Sequence, residues 1–349
     1  MKPAMALGFL ALLFGVWAGL VRMGWALPVP ADALAAAHGP LMVTGFVGTL
    51  IGVERAVGLR RRFAFAAPIL LGVGSLAVLL PIPSGRTPGI LVAGSAALLV
   101  LIVVLARRQP GVATATMAVG AGLLLAGNAL WFTGRAVPEV VPWWLGFVVL
   151  FIAGERRELS RYLALSRATQ GAFVGAVVVL LAGIAISLVD SDAGARLLAA
   201  GLVFVAAWLL VHDMASRNLT RVGLPRFTAI ALLAGYAWLG AAGVATMSWG
   251  LRPAGLEYDA IVHSVFLGFA FSMIFAHGPI IFPAILRRSL AFTPALYVPL
   301  ALLHLSLLLR IVGDLAADPT ARMWGGLLNG IAIFAFLAGI AGSMRRRPA

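Results

Sequence analysis

Five histidines are the residues of this chain best suited to metal or proton chemistry: His38, His212, His263, His277 and His304. Neutral imidazole is a strong axial ligand for haem iron. Four of the five fall inside apolar runs, where an ionisable side chain is costly and marks a functional position by default. His263 and His277 share the run 259–288 and are fourteen residues apart. At 100° per residue, fourteen steps end about 40° short of four full turns, so both rings leave nearly the same helix face, about 21 Å apart along the axis. His38 lies in an earlier run, 38–59. Counted from the outer ends of their helices, His38 and His263 fall at a common depth of roughly 6 to 9 Å. Two imidazoles at one level on separate helices suit a bis-histidine, low-spin haem b. Gly39, Gly45, Gly52 and Gly268 beside them would let a macrocycle approach the backbone. The alternative is that each histidine is hydrogen-bonded to a neighbouring helix.

His277 and His304 lie nearer the other surface, at depths agreeing within about 5 Å. They are candidates for a second haem or a metal or substrate site, or are structural. Position 52, where a two-haem pattern wants the partner ligand, is Gly52. His212 beside Asp213 reads as a solvated residue at a helix end. Glu54-Arg55 reads as an ion pair reaching to the interface, with a proton or quinone-head site together with His277 as the alternative. Glu155-Arg156-Arg157-Glu158 reads as a solvated interfacial turn. Arg22, Arg252, Arg310 and Arg322 are placed to grip haem propionates, because guanidinium pairs bidentately with carboxylate.

The elements that must position these residues are membrane helices. Of 349 residues, 62% are hydrophobic and only 11% charged, where a soluble domain carries about a quarter charged. Apolar runs predict twelve helices: 4–26, 34–59, 63–80, 89–106, 112–133, 141–153, 171–189, 196–211, 227–249, 260–286, 294–312 and 323–344. The sixth is short unless it continues through 155–167 as an interfacial extension. Pro81-Ile82-Pro83-Ser84-Gly85 typifies the turn-forming outer loops. The chain reads as an all-α polytopic protein, one integral domain over 1–349. With the N-terminus inside, 19 Lys and Arg residues fall at inner ends and 7 at outer ends, so both termini are expected in the cytoplasm of a bacterial inner membrane. The net charge of +14 is then a topology signal rather than a nucleic-acid footprint. Cysteine is absent, which excludes disulfides, thiolate metal sites and covalent haem attachment. Residues 1–26 lack a signal-peptidase site and are expected to remain as a helix.

The run His38-Gly39-Pro40-Leu41-Met42-Val43 resembles the second helix of haem–copper oxidase subunit I, whose low-spin haem takes its other axial ligand from the tenth helix. Here that helix carries His263. A closer resemblance is to the NnrS family, membrane proteins linked to nitrogen-oxide metabolism and thought to bind haem and copper. Its pattern H-x3-M-x2-G-F is matched by His38, Met42, Gly45 and Phe46, and its H-x4-G-x4-M by His263, Gly268 and Met273. The resemblance implies an oxidase-like twelve-helix bundle, haem b, and electron transfer or nitric-oxide-related chemistry, with quinol or a small gas as partner. It covers two helices. Helices six and seven lack the oxidases' copper histidines, and position 265 is Val265, which argues against dioxygen reduction. Pro40-Leu41 replaces a His-Glu pair of the NnrS pattern, which argues against copper. A twelve-helix secondary transporter without cofactor is the alternative, with His277-Gly278-Pro279 as its unwound site. A cofactor-free assembly or scaffold protein is a third.

Overall fold

The computed structural model describes residues 1–80, 86–160, 163 and 165–346. These are helical apart from connections and one antiparallel pairing of Arg288–Leu290 with Met344–Arg346. Among the described residues eleven helices are long and apolar enough to cross a bilayer, and the chain is a multi-pass membrane protein. In chain order they are α1 (Lys2–Arg22), α2 (His38–Leu59), α4 (Thr87–Arg108), α5 (Val112–Phe132), α6 (Val137–Leu159), α7 (Arg167–Ile186), α8 (Ser191–His212), α9 (Leu224–Trp249), α10 (Leu256–Leu286), α11 (Pro294–Leu315) and α12 (Pro319–Ser343). Between α2 and α4 lies the shorter apolar helix α3 (Arg62–Ala77). The twelve expected runs thus become eleven long helices and one short one. The loop Pro81–Gly85 and the basic residues Arg161 and Arg347 lie outside the described residues.

Boundaries shifted where polar caps or glycines override hydropathy. Asp190 caps α8 through Asp192 and Ala193 N–H groups, and Asp318 caps α12 through Thr320 and Ala321, as short acceptors do at helix starts. Gly223 (φ 69°) and Gly250 (φ 72°) bracket α9 in conformations that disfavour other residues. Helix α2 begins at His38 rather than at residue 34, so His38 opens the helix instead of lying four residues inside it. Helix α6 runs to Leu159, so the expected interfacial turn at Glu155–Glu158 is helical instead. Helix α10 stays helical through His277, Gly278, Pro279 and Pro283, which removes the unwound segment that a carrier site would use.

The chain divides into two compact units, residues 1–154 and 155–349. In the first, α1 packs on α2 and α3, α2 on α3, α3 on α4, and α4 on α5. In the second, α8 packs on α7 and α9, α9 on α10, and α11 on α10 and α12. Lipid offers no hydrophobic drive for helix pairing, so small residues at close crossings carry it. At the α7–α8 crossing a Cβ on Gly183 would lie 2.2 Å from the Leu198 amide nitrogen, and one on Gly201 2.5 Å from Leu180 Cα. Gly183→Val is therefore expected to destabilise the protein by about 1–3 kcal/mol or more through overpacking. Gly175→Val on the same helix, where a Cβ meets nothing within 4 Å, should be near neutral. Thermal unfolding in detergent measures both.

Candidate functional site

Two stretches depart from ordinary α geometry, and each follows a histidine. Leu41–Gly48 in α2 and Ser264–Phe271 in α10 are π-helical, eight residues each. Wide π turns are rare and frequent at functional sites. Near the start of each, a hydroxyl donates to the carbonyl four residues back: Thr44 to Pro40 at 2.5 Å and Ser264 to Ala260 at 2.7 Å. The hydroxyl fills the place an α-helical N–H would take, which lets the turn widen.

In the first unit, His38 Nδ1 lies 2.8 Å from the Gly15 carbonyl oxygen of α1. A carbonyl only accepts, so Nδ1 carries the proton and the ring's lone pair resides on Nε2. The imidazole lies against Gly19, where a Cβ would come within 3.0 Å of its Cε1. Met42 fills the equivalent notch at Gly15, whose added Cβ would strike its sulfur. Gly15 and Gly19 are one turn apart on α1, so a G-x-x-x-G step seats both His38 and Met42. That step is visible in the sequence as Gly15-Val16-Trp17-Ala18-Gly19, a close-packing signal that the histidines by themselves do not reveal.

In the second unit, His263 is held in the same way. Its Nδ1 lies 2.9 Å from the carbonyl oxygen of Asp259, one turn back, and 3.3 Å from that residue's Oδ1. Both partners accept, so Nδ1–H donates and Nε2 is again the basic nitrogen. Arg310 of α11 binds both carboxylate oxygens of Asp259, at 2.8 and 2.9 Å. Arg322 of α12 pairs with buried Asp314 at 2.5 Å and reaches Asp259 at 3.9 Å. Three helices thus close a charge-balanced network behind one histidine.

His277 and His304 differ from that pattern. His277 donates from Nδ1 to the Met273 carbonyl at 2.9 Å, and its Nε2 accepts from Arg156 at 2.9 Å. Both nitrogens are engaged, so its lone pair serves a guanidinium. Trp238 donates to His304 Nδ1 at 3.0 Å, which leaves the proton on Nε2. That N–H is buried and without a partner; it is a donor, not a metal ligand. Of the alternatives open for His277 and His304, these partners match the structural one. Among the described residues no three His, Asp or Glu side chains converge as a metal cluster.

Other expected parts of a haem pocket are also corrected. Gly45 is closed by Ser75 and Ala11, Gly52 by Pro68 and Gly268 by Trp238, with added Cβ atoms at 2.5 to 3.1 Å; Gly39 faces Trp144 at 3.4 Å. These glycines serve helix packing, not a macrocycle. Arg310 and Arg322, expected to hold propionates, are turned to Asp259 and Asp314. Arg22 and Arg252 are exposed. Glu54 and Arg55 form the expected pair at 3.7 Å, and Arg55 also lies 5.3 Å over the Phe151 ring. His212 is half-buried at the end of α8, its ring tilted against Trp208 at 5.2 Å. The glycines and arginines expected to surround a haem are thus engaged by neighbouring side chains.

The residue most misread from sequence is Arg156. It is buried, and its Nε and Nη2 bind the two Asp213 oxygens at 3.0 Å each. Asp213 also accepts from Ser160 at 3.4 Å and from the Ala215 amide at 2.7 Å. Tyr236, fully buried on α9, brings its ring to the same pair. The signal was present: Arg156 extends the buried stripe of Val149 and Ala153 at i, i+4 and i+7, the face of a helix that points inward.

No curated protein matches the chain in sequence. A model of the family described as domain of unknown function (DUF8744) matches residues 2–345, nearly the whole chain, and the chain belongs to that family.

Proposed function

We propose that this is a membrane haem b protein of the bacterial inner membrane, with both termini cytoplasmic and His38 and His263 as the axial ligands. The observation that carries the reading is their shared state. Each imidazole donates Nδ1–H to a backbone carbonyl, at 2.8 and 2.9 Å, and each introduces a π-helical stretch. A hydrogen-bond acceptor on one nitrogen is what fixes the tautomer and orientation of a metal-binding imidazole. The likeness of the two histidine helices to NnrS and haem–copper oxidase patterns supports the same assignment. Bound haem would supply one-electron transfer, and two strong imidazole ligands favour that over gas binding. Quinol or nitric-oxide-related redox chemistry is the context the resemblance offers. The chain's own part is to fix the two rings and keep the surroundings apolar.

A pyridine haemochrome assay with metal analysis on the purified protein tests this. The expected result is one haem b per chain, with a Soret band and a sharp reduced α-band. Protein made with ample haem and purified without any would overturn the reading in favour of a cofactor-free carrier.

A further inference from the structure

We infer that the antiparallel ribbon joining the ends of α10 and α12 is a docking surface for the headgroups of anionic phospholipid. Arg288–Leu290 pairs with Met344–Arg346, and the Ala291 N–H donates to the Ser343 carbonyl at 3.1 Å. The two strands begin within two residues of Leu286 and Ser343, where two spanning helices end. Helix ends mark the boundary of the hydrocarbon, where lipid phosphates lie. The start of α9 stands beside the ribbon: a Cβ on Gly223 would come 3.9 Å from Phe292, and the Phe227 ring meets Phe292 and Tyr297 at 5.9 and 5.2 Å. The charge of this corner has one sign. Residues 216–228, 284–300 and 341–349 hold eight arginines and no aspartate or glutamate. Arg217, Arg221, Arg226, Arg287 and Arg288 are exposed, and none of the five has an ion-pair partner among the described residues. The strand register sets position 288 opposite position 346, both arginine, and like charges across a ladder are unfavourable without a counter-ion. Phosphate suits that role because guanidinium grips it bidentately. Apolar surface accompanies the charge: Val222, next to Arg221, is 84% exposed and Val298, at the start of α11, 69%. A ligand with an anionic head and hydrocarbon tails matches both features, whereas free phosphate matches only the first. Basic clusters at the ends of spanning helices recognise anionic lipid in this way.

Full-length protein in neutral detergent, titrated with short-chain phosphatidylglycerol and followed by its thermal midpoint, tests this. Phosphatidylcholine of the same chain length and inorganic phosphate form the comparison arms. Phosphatidylglycerol is expected to raise the midpoint saturably, and the other two to leave it unchanged at the same concentration. The triple variant Arg221→Gln, Arg226→Gln, Arg288→Gln should bind phosphatidylglycerol about fivefold more weakly for each arginine removed. Its midpoint without lipid should equal that of the wild type, since all three side chains are exposed. The control is Arg107→Gln with Arg108→Gln, an exposed pair that closes α4 without a ribbon; it should bind like the wild type. Should the triple variant fail to fold, the wild type in about 1 M salt, where the Debye length falls to about 3 Å, is expected to lose the phosphatidylglycerol response. Equal weakening by the triple variant and the control would show diffuse helix-end charge rather than a site, and would overturn the inference. So would a response to phosphatidylcholine as large as that to phosphatidylglycerol, or a response that survives the salt. An equal response to inorganic phosphate would overturn the assignment to lipid.

Discussion

Asp213→Asn is expected to cost about 3–5 kcal/mol of stability, because removing one partner of a buried ion pair strands the other. The side chains of Arg156 and Asp213 have exposures of 7% and 1%. Asparagine keeps the size of Asp213 but cannot accept from both guanidinium nitrogens while also serving Ser160 and the Ala215 amide, all of which converge on its oxygens. Arg156 would then be a buried cation with His277 Nε2 as a remaining acceptor. The double replacement Arg156→Met with Asp213→Leu should recover much of the loss, since apolar isosteres of buried pairs are often neutral or better. Denaturant titration of helicity in detergent or mixed micelles measures all three. Equal stability of the single and double variants would show the pair to be solvated and the burial argument wrong.

That pair also shows which parts of the molecule were readable from the chain. Runs of apolar residues located every long helix, because the hydrocarbon thickness imposes a length on any span. Helix ends were less legible: His38 opens α2 because the preceding residues 31–37 form turns, and hydropathy does not register a turn made of alanines. His38 and His263 could be singled out by type and placement, but their tautomers could not. Those depend on Gly15 of another helix and on Asp259 one turn away. Arg156 and Asp213 are 57 residues apart, and in sequence each is an isolated charge near a helix end, for which solvation is the ordinary outcome. Only the folded chain brings them together, with His277 on the same guanidinium. Glycines erred in the opposite direction. Gly45 and Gly268 looked like room for a cofactor, yet Ser75 and Trp238 fill them, because in lipid a glycine on a helix face serves close helix approach first.

His38→Ala and His263→Ala are each expected to remove the haem spectrum from the purified protein, while His277→Ala and His304→Ala retain one haem per chain. The contrast follows from ring nitrogens. His38 and His263 keep their lone pair on Nε2 because Nδ1–H is committed to a carbonyl; alanine deletes the donor atom itself. The Nε2 lone pair of His277 is spent on Arg156, and that of His304 Nδ1 on Trp238, so neither is available to iron. Replacement of His277 should lower stability instead, by about 1–3 kcal/mol for a charged donor left unsatisfied. Gly19→Val offers an independent route to the same conclusion. Its added carbons would press on the His38 ring, which a Cβ already approaches to 3.0 Å, so haem occupancy should fall although no ligand has been changed. Haem retained in full by His38→Ala or His263→Ala would remove that residue from the ligand set. Haem lost from His277→Ala with stability unchanged would move the iron site to the Arg156 network.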